Sequence, residues 1–553
     1  MLQYESNGMR VLLLYPRFPK TFWSYEKILA LIGRKALLPP LGLVTVAALL
    51  PDEWELRLVD RNVRPQSEDD WAWADLVMLS AMIVQKDDFL AQIREARRRG
   101  KPVAVGGPYP TSLPDDAREA GADYLMLDEG EVTVPMFLTA IRDAGHDLRR
   151  PRTQPLTFQA NGEKPDVTTS PMPRFDLLEL DAYDTMSIQF SRGCPFLCEF
   201  CDIIVLYGRR PRTKTPAQIS SELDALYRLG WRRGVFLVDD NFIGNKRSVK
   251  SMLRELRTWQ IEHGFPFVLN TEASIDLAAD AELLDLMAEC GFDTVFIGIE
   301  TPDESSLTSI RKHQNNRRPM VESVRTIARA GMRVQAGFII GFDGEARGAG
   351  ERAVSFIEES AVPTVMLSML QALPHTALWE RLERQGRLRS ETGMNQTTLM
   401  NFVPTRPIEE VAQEYVEAFW RIYDPEQYLD RVYRFFLELA PPRFRPSNKL
   451  SGLDSRQRIA ALREAIMVIR AFFLVCWLQG ARRATRWKFW HHLLAIARRN
   501  PRVWGHYLAV CAHNEHYLEY REIVRDQINA QVIRLESRRG ASNTPDFLAR
   551  STG

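Results

Sequence analysis

After a short polar stretch the chain runs through Arg10-Val11-Leu12-Leu13-Leu14-Tyr15-Pro16, an apolar run closed by proline that predicts a strand buried on both faces of a parallel sheet. Similar short apolar runs return at 56–60, 75–80, 102–107 and 124–128. Between them the period turns helical. Leu38-Pro39-Pro40-Leu41-Gly42-Leu43 leads into 44–50, with proline where a first helical turn accepts it, and 91–99 ends in basic residues, as the helix dipole favours. The alternation predicts a doubly wound, flavodoxin- or Rossmann-like α/β unit over residues 8–150. Residues 151–185 break the pattern: Pro151, Pro155, Pro165, Pro171 and Pro173 punctuate a polar stretch with an Asn161-Gly162 turn, which predicts a linker holding one hairpin at most. Alternation resumes with strands at 186–190, 234–239, 268–271, 294–299, 333–340 and 364–370, and helices at 219–228, 248–262, 281–290 and 321–330. These β–α units predict a partial (β/α)6, TIM-like barrel over 186–425. From 426 to 553 the period is helical, at 455–479, 483–498, 503–510 and 519–536, and the tail from Ser537 reads as polar and disordered.

At 553 residues the chain has room for these three units. A formal net charge of +1 implies no polyanionic partner, so no nucleic acid is expected. Residues 1–10 lack the apolar core of a secretory signal, and no apolar run reaches the roughly 18 residues of a spanning helix. Six cysteines in this length do not make a disulfide framework, which points to the cytoplasm; Cys290, Cys476 and Cys511 read as packed thiols. Near the C-terminus Trp477, Trp487, Trp490 and Trp504 stand among Arg482, Arg483, Arg486, Arg498 and Arg499. The apolar stretch 465–478, interrupted by Arg470, is expected to be a helix buried against the barrel. Peripheral membrane contact and an anionic-partner patch are the alternatives.

The densest chemistry is Cys194-Pro195-Phe196-Leu197-Cys198-Glu199-Phe200-Cys201, three cysteines spaced C-x3-C-x2-C. Thiolates ligate soft metals and iron–sulfur clusters. A closed zinc site needs four ligands, and no further Cys or His follows for about sixty residues. A cubane held by three cysteines would leave one iron open to a small molecule. The competing readings are a chance grouping of buried thiols and a zinc knuckle with a remote ligand, but grouped cysteines in a cytosolic chain favour metal. The loop follows the first barrel strand, at the end where barrels carry their chemistry.

With Phe200 before the last cysteine, the spacing resembles the signature of the radical S-adenosylmethionine (SAM) superfamily. That resemblance implies a [4Fe-4S] cluster on Cys194, Cys198 and Cys201 whose open iron binds SAM, and whose electron cleaves it to a 5'-deoxyadenosyl radical. SAM needs acceptors for its amine and ribose; Asp239, Asp240 and Glu300, at barrel strand ends, are the candidates, with helix capping the alternative for the acids. Gly337, Ile339 and Gly341 match the superfamily's Gly-x-Ile-x-Gly element near the adenine, although its final Glu is displaced: Gly344 stands in its place and Glu345 follows. Gln371 closes the sixth strand. Arg209-Arg210-Pro211-Arg212 either neutralises the site or is a solvated loop.

Upstream, the strand ends carry Pro16, Asp60, Ser80, Gly106, Gly107 and Gly130. Together with the Leu38–Leu43 element, which includes Gly42, and with Glu129-Gly130-Glu131, they resemble the cobalamin-binding domain of cobalamin-dependent radical SAM enzymes. The Asp-x-His-x-x-Gly motif of many methyltransferases is replaced by Asp60-Arg61-Asn62-Val63-Arg64-Pro65, which argues against a histidine on the cobalt. The helical C-terminal unit is similar to the extension found beside hopanoid C-methylases. The resemblance implies cobalamin-dependent C-methylation of an unactivated carbon. A radical cyclase or rearrangement enzyme, and a non-catalytic iron–sulfur or corrinoid sensor, are the alternatives. It further implies a small-molecule or lipid substrate, an electron donor such as flavodoxin or ferredoxin, and a cytoplasmic site, membrane-associated if the substrate is a lipid.

Overall fold

The computed structural model describes residues 8–144, 147–389, 395–444 and 455–542. Its first sheet is built from β1 (Arg10–Tyr15), β2 (Glu55–Asp60), β3 (Leu76–Ser80), β4 (Val103–Gly106), β5 (Tyr124–Leu127) and β6 (Leu156–Gln159). All neighbours are parallel, in the order β2-β1-β3-β4-β5-β6. Leu12 and Leu14 of β1 enter one core, Val11 and Leu13 the core on the opposite face, which is why the strand reads as an unbroken apolar run. Strand β6 corrects the expectation for 151–185. Its Leu156 and Phe158 pair in parallel with Tyr124 and Met126, so the segment opens by extending the sheet and forms no hairpin there.

The second sheet takes β7 (Thr185–Ile188), then β10 (Gly234–Leu237), β11 (Val268–Ala273), β12 (Phe292–Glu300), β13 (Arg333–Ile340) and β14 (Thr364–Met369). A short antiparallel ribbon, β8 (Ser191–Arg192) with β9 (Arg212–Thr213), brackets the cysteine loop. The order is β14-β13-β12-β11-β10-β7, and among the described residues β14 does not pair with β7. The barrel is therefore open along one flank. The exposed edge of β14 is neutralised by side chains: Tyr423 Oη bonds both the N–H (3.0 Å) and the C=O (2.6 Å) of Val365, and Tyr415 Oη donates to Leu367 O (3.2 Å). Both tyrosines come from the C-terminal end of the barrel segment, Tyr415 from the helix Ile408–Ile422 and Tyr423 from the residue that follows it.

An excursion from the first unit, residues 17–37, reaches across to this flank. Trp23 packs edge-on against Phe296 of β12, Phe22 stacks on Tyr517 at 5.0 Å, and Tyr25 Oη meets Tyr517 Oη at 2.7 Å. Residues 35–37 run beside the start of β7, where Thr185 N donates to Leu37 O.

The two helices expected at 503–510 and 519–536 form one, Trp504–Ser542, because no glycine or proline interrupts 506–539. It carries the first residues of the expected disordered tail, and 543–553 lie outside the described residues. The helix Ser455–Trp477 also departs from expectation. It continues through a wide turn at Leu478–Arg482, and its window Ala465–Arg482 is, by length and composition, long and apolar enough to cross a membrane. Only 28% of that window is buried, so it is not the buried helix its apolarity predicted.

Gly350 sits where the helix Ala349–Ser360 crosses Ile408–Ile422, and a Cβ there would stand 2.6 Å from Glu414 O. Gly350→Ala is expected to part the two helices at a cost of about 1–3 kcal/mol. A lower urea midpoint than wild type, followed by circular dichroism, checks this; an unchanged midpoint would show that the crossing yields without cost.

Candidate active site

The cysteine loop is held by the two acids that end β10. Asp239 accepts from Phe190 N (2.8 Å), Ser191 N (2.9 Å) and Ser191 Oγ (2.7 Å), and is fully buried. Asp240 accepts from Gly193 N at 2.9 Å. Burial pushes their carboxyls up to about 7 and about 6 respectively, against the pull of these donors. Gly193 has φ +93°, and a Cβ there would lie 2.8 Å from Gly208 O, so only glycine fits the turn into Cys194. Asp239 is thus neither a helix cap nor a free acceptor: both oxygens are committed to the loop. This corrects its assignment to SAM.

Burial raises all three thiols, and Cys194 and Cys201 also feel the charge of Cys198. Among the described residues no three Cys, His, Asp or Glu groups converge tightly enough for a single ion. Two amides absent from the sequence reading point at sulfur: Asn241 Nδ2 lies 3.9 Å from Cys194 Sγ and Gln314 Nε2 lies 3.8 Å from Cys198 Sγ. Such outer donors orient and tune cluster ligands. The donor set fits an iron–sulfur cluster.

Gln314 belongs to a segment laid over the end of β12, where Asn315 Nδ2 donates to Gly298 O and Ile299 O. Beside it Lys312 forms a buried ion pair with Glu300, which ends the strand at φ +65°. Burial works against the Lys312 charge, but Glu300 and the Cys198 sulfur outweigh it and hold the ammonium above its ordinary value. Glu300 is therefore a paired carboxylate, which corrects its reading as an open acceptor. Phe200 packs on Phe342 (6.2 Å between centroids) and borders a cavity of about 290 Å³ shared with Ile310, Leu370 and Leu378. Glu199, next to it, is clamped by Arg381, which also holds Asp343.

On β13, a Cβ at Gly337 would meet the Phe296 ring at 2.9 Å, so the glycine makes room for that ring inside the barrel. Gly341 turns at φ +101°, its N–H donating to Glu345 Oε2 at 2.7 Å. Ile339 is half-buried between them. Glu345, the displaced acid, thus has a structural task, and burial pushes its carboxyl up to about 7. Gln371 donates to Leu399 O, while its Oε1 and Asn270 Oδ1 are buried without partners among the described residues. Glu272, half-buried, makes no hydrogen bond among the described residues and is pushed up to about 7 by burial, Asp240 and Asp239. Among the described residues these last groups are free to receive a ligand.

The first sheet presents its C-terminal edge to this loop. Tyr15, just before Pro16, pairs with Asp60, and Ser80 pairs with Gly106, so Pro16, Asp60, Ser80, Gly106 and Gly107 share one rim. Gly107, at φ +95°, would press a Cβ to 2.4 Å from Ser80 Oγ, and Gly42 has open space beside it. That cradle fits a large flat ligand approaching the backbone. Asp60 is not available to it: Asn62 N, Asn62 Nδ2 and Tyr183 Oη occupy the carboxylate, which burial raises. Asn62, standing at the motif's histidine position, also donates to Pro16 O and accepts from Phe18 N. Gly130 lies under Val46 of the helix Leu41–Ala47 and serves packing.

Glu131 is the clearest correction. Arg192, two residues before Cys194, donates to Glu129 Oε2 (2.8 Å) and to both oxygens of Glu131 (2.8 and 3.0 Å). Arg212 of β9 grips Glu129 through two bonds, at 2.7 and 3.1 Å. All four side chains are at least 85% buried. Burial opposes the Glu131 charge, yet Arg192 holds its carboxyl down to about 2. Arg212, read as a choice between site neutraliser and solvated loop, is part of a lock between the two units.

Three family models match the chain. The B12 binding domain family matches residues 29–138, the radical SAM superfamily residues 188–357, and a domain of unknown function residues 376–530. An uncharacterized methyltransferase of Synechocystis sp. is 60% identical over 526 residues, 95% of this chain and 94% of that one. The hopanoid C-2 methylase of Rhodopseudomonas palustris is 38% identical over 485 residues, 87% and 89% of the two chains. Among solved structures, the radical SAM methyltransferase TsrM of Kitasatospora setae, with cobalamin and a [4Fe-4S] cluster bound, superposes with a TM-score of 0.58 at 17% identity. The match covers 84% of this chain and 99% of that one, a likeness of fold.

The Glu131 shift fixes a sign. Its folded value, about 2, lies below its ordinary 4.5, so its stabilisation is complete above 4.5 and is lost as pH falls towards 2. Glu131→Gln should therefore unfold earlier than wild type in urea at neutral pH, with the gap closing as the pH is taken below 4.5. A gap independent of pH would contradict the ion-pair account.

Proposed function

The chain belongs to the cobalamin-binding radical SAM enzymes, and on that footing we propose that it is a C-methylase acting on an unactivated carbon of an apolar, hopanoid-like lipid. Its cofactors are a [4Fe-4S] cluster, SAM and cobalamin. When bound, the cluster and SAM supply the hydrogen-abstracting radical and the corrinoid supplies the methyl group. The observation that carries the reading is the buried lock of Arg192 and Arg212 on Glu129 and Glu131, which sets the cluster loop against the glycine-lined rim. Two cofactors serving one substrate carbon need to be held in such a fixed relation.

In this reading Cys194, Cys198 and Cys201 ligate the cluster, with Asn241 and Gln314 donating to their sulfurs. Asp239 and Asp240 hold the loop backbone, and Lys312 neutralises negative charge beside Cys198. Phe200, Gly337, Ile339, Gly341 and Gln371 border the SAM side, while Pro16, Gly42, Ser80, Gly106 and Gly107 border the corrin. The 38% identity to the hopanoid C-2 methylase across 89% of its length supports the substrate class. An apolar substrate of that kind resides in membranes, so peripheral membrane contact of the C-terminal helices belongs to the reading. So do a cytoplasmic site and a flavodoxin or ferredoxin as the electron source.

Anaerobic reconstitution with iron, sulfide and hydroxocobalamin is expected to give cluster, bound corrinoid and reductant-dependent 5'-deoxyadenosine. With trideuteriomethyl-SAM and a hopanoid, mass spectrometry should find the label on carbon of the lipid. The Cys194→Ala/Cys198→Ala/Cys201→Ala variant should lose both the cluster absorption and deoxyadenosine. Cluster and deoxyadenosine with no corrinoid bound would favour a radical cyclase instead.

A further inference from the structure

The helix Ser455–Trp477 is apolar on two faces, and only one of them is covered. On the covered side, Val475, Cys476 and Gln479 are buried, the Met467 thioether lies against Gly33, and Phe472 meets Trp504 edge-on at 5.8 Å. On the other side stand Leu462 (62% exposed), Ile466, Ile469, Phe473 (65%) and Trp477 (62%). Their spacing of four, three, four and four residues places them on a single line along the helix, about 22 Å long at a rise of about 1.5 Å per residue. Large apolar side chains left in water along a continuous stripe mark a contact surface.

Charge says what covers it. From Ala465 to Asn514 the chain has eight Lys and Arg and no Asp or Glu, against a net charge of +1 for all 553 residues. Arg483 is answered by Glu515 and Lys488 by Asp430, but Arg470, Arg482, Arg486, Arg498, Arg499 and Arg502 make no ion pair among the described residues. All six are exposed, and Arg486 lies over the ring of the exposed Trp487. An apolar stripe with interfacial tryptophan and unanswered arginines is the composition of a helix lying in a lipid interface. A second copy of the chain would bring the same positive charge to the same surface.

We propose that the uncovered face of the helix Ser455–Trp477 docks in the plane of an anionic lipid bilayer. Phe473, Trp477 and their neighbours enter the acyl boundary, and Arg470, Arg482 and Arg486 meet lipid phosphates. The helix lies in the interface and does not span it, because its opposite face is already packed on the protein and the window contains Arg470 and Arg482. This deepens the membrane contact included in the proposed function by naming the face and the lipid charge. It does not depend on the methylation chemistry.

The full-length reconstituted enzyme is tested by flotation with vesicles of phosphatidylcholine alone or mixed with phosphatidylglycerol. Binding to the mixed vesicles should exceed binding to phosphatidylcholine by roughly ten-fold and fall as salt is raised. Phe473→Ser/Trp477→Ser should lose binding roughly ten-fold or more, and Arg482→Glu/Arg486→Glu should abolish the preference for phosphatidylglycerol. Deoxyadenosine formation at the wild-type rate in both variants shows that they are folded and keeps this result separate from the fate of the methylase reading. Three results would overturn the proposal. They are absence of vesicle binding, binding that ignores lipid charge and both substitutions, and a dimer in sedimentation that Phe473→Ser/Trp477→Ser dissolves.

Discussion

Four charged side chains buried between the two sheets constrain everything else in this molecule. Arg192, Arg212, Glu129 and Glu131 give up water, and each is costly unless its partner stands opposite. Because Arg192 enters the cysteine loop and Glu131 begins the helix after β5, satisfying the charges sets the relation between the two C-terminal edges. A smaller contact repeats the theme, with His375 Nε2 within 3.0 Å of Ser112 O. The strand ends could line up within each sheet and still miss each other. The ion pairs remove that freedom.

The same economy runs through the acids at the barrel's strand ends. A row of carboxylates at the mouth looks like a binding surface when read one residue at a time. In three dimensions Asp239 holds a backbone, Glu300 holds a lysine and Glu345 holds Gly341 N, which leaves Glu272 as the uncommitted one. The site's polarity is mostly spent on keeping the cysteine loop and the surrounding turns in place.

What could be read from the chain follows from how local each signal is. Strands β1 and β3 announce themselves as apolar runs because both faces are covered, and three cysteines in one loop need no distant information. Lys312 and Gln314 carry no such mark; they lie in a turn without periodicity and matter only because it folds over β12. Glu131 stands beside the expected glycine and was legible as important, but its partner is a residue 61 positions away. The exposure of Ser455–Trp477 was unreadable for another reason. Apolar spacing shows that water is excluded, and does not say whether protein or lipid excludes it.

The excursion that brings Tyr25 to Tyr517 joins hydroxyls 492 positions apart. On a ribosome adding about 5–20 residues each second, the first of these waits roughly 25–100 s for the second. During that interval Phe22, Trp23 and Tyr25 have no helix to pack against, and the open flank beside β14 lacks its outer wall. Closure of that flank therefore waits for the helix Trp504–Ser542 to be made. A chain truncated before Trp504 would yield a barrel whose strands can all form, yet whose side stays accessible to solvent and to any holding chaperone.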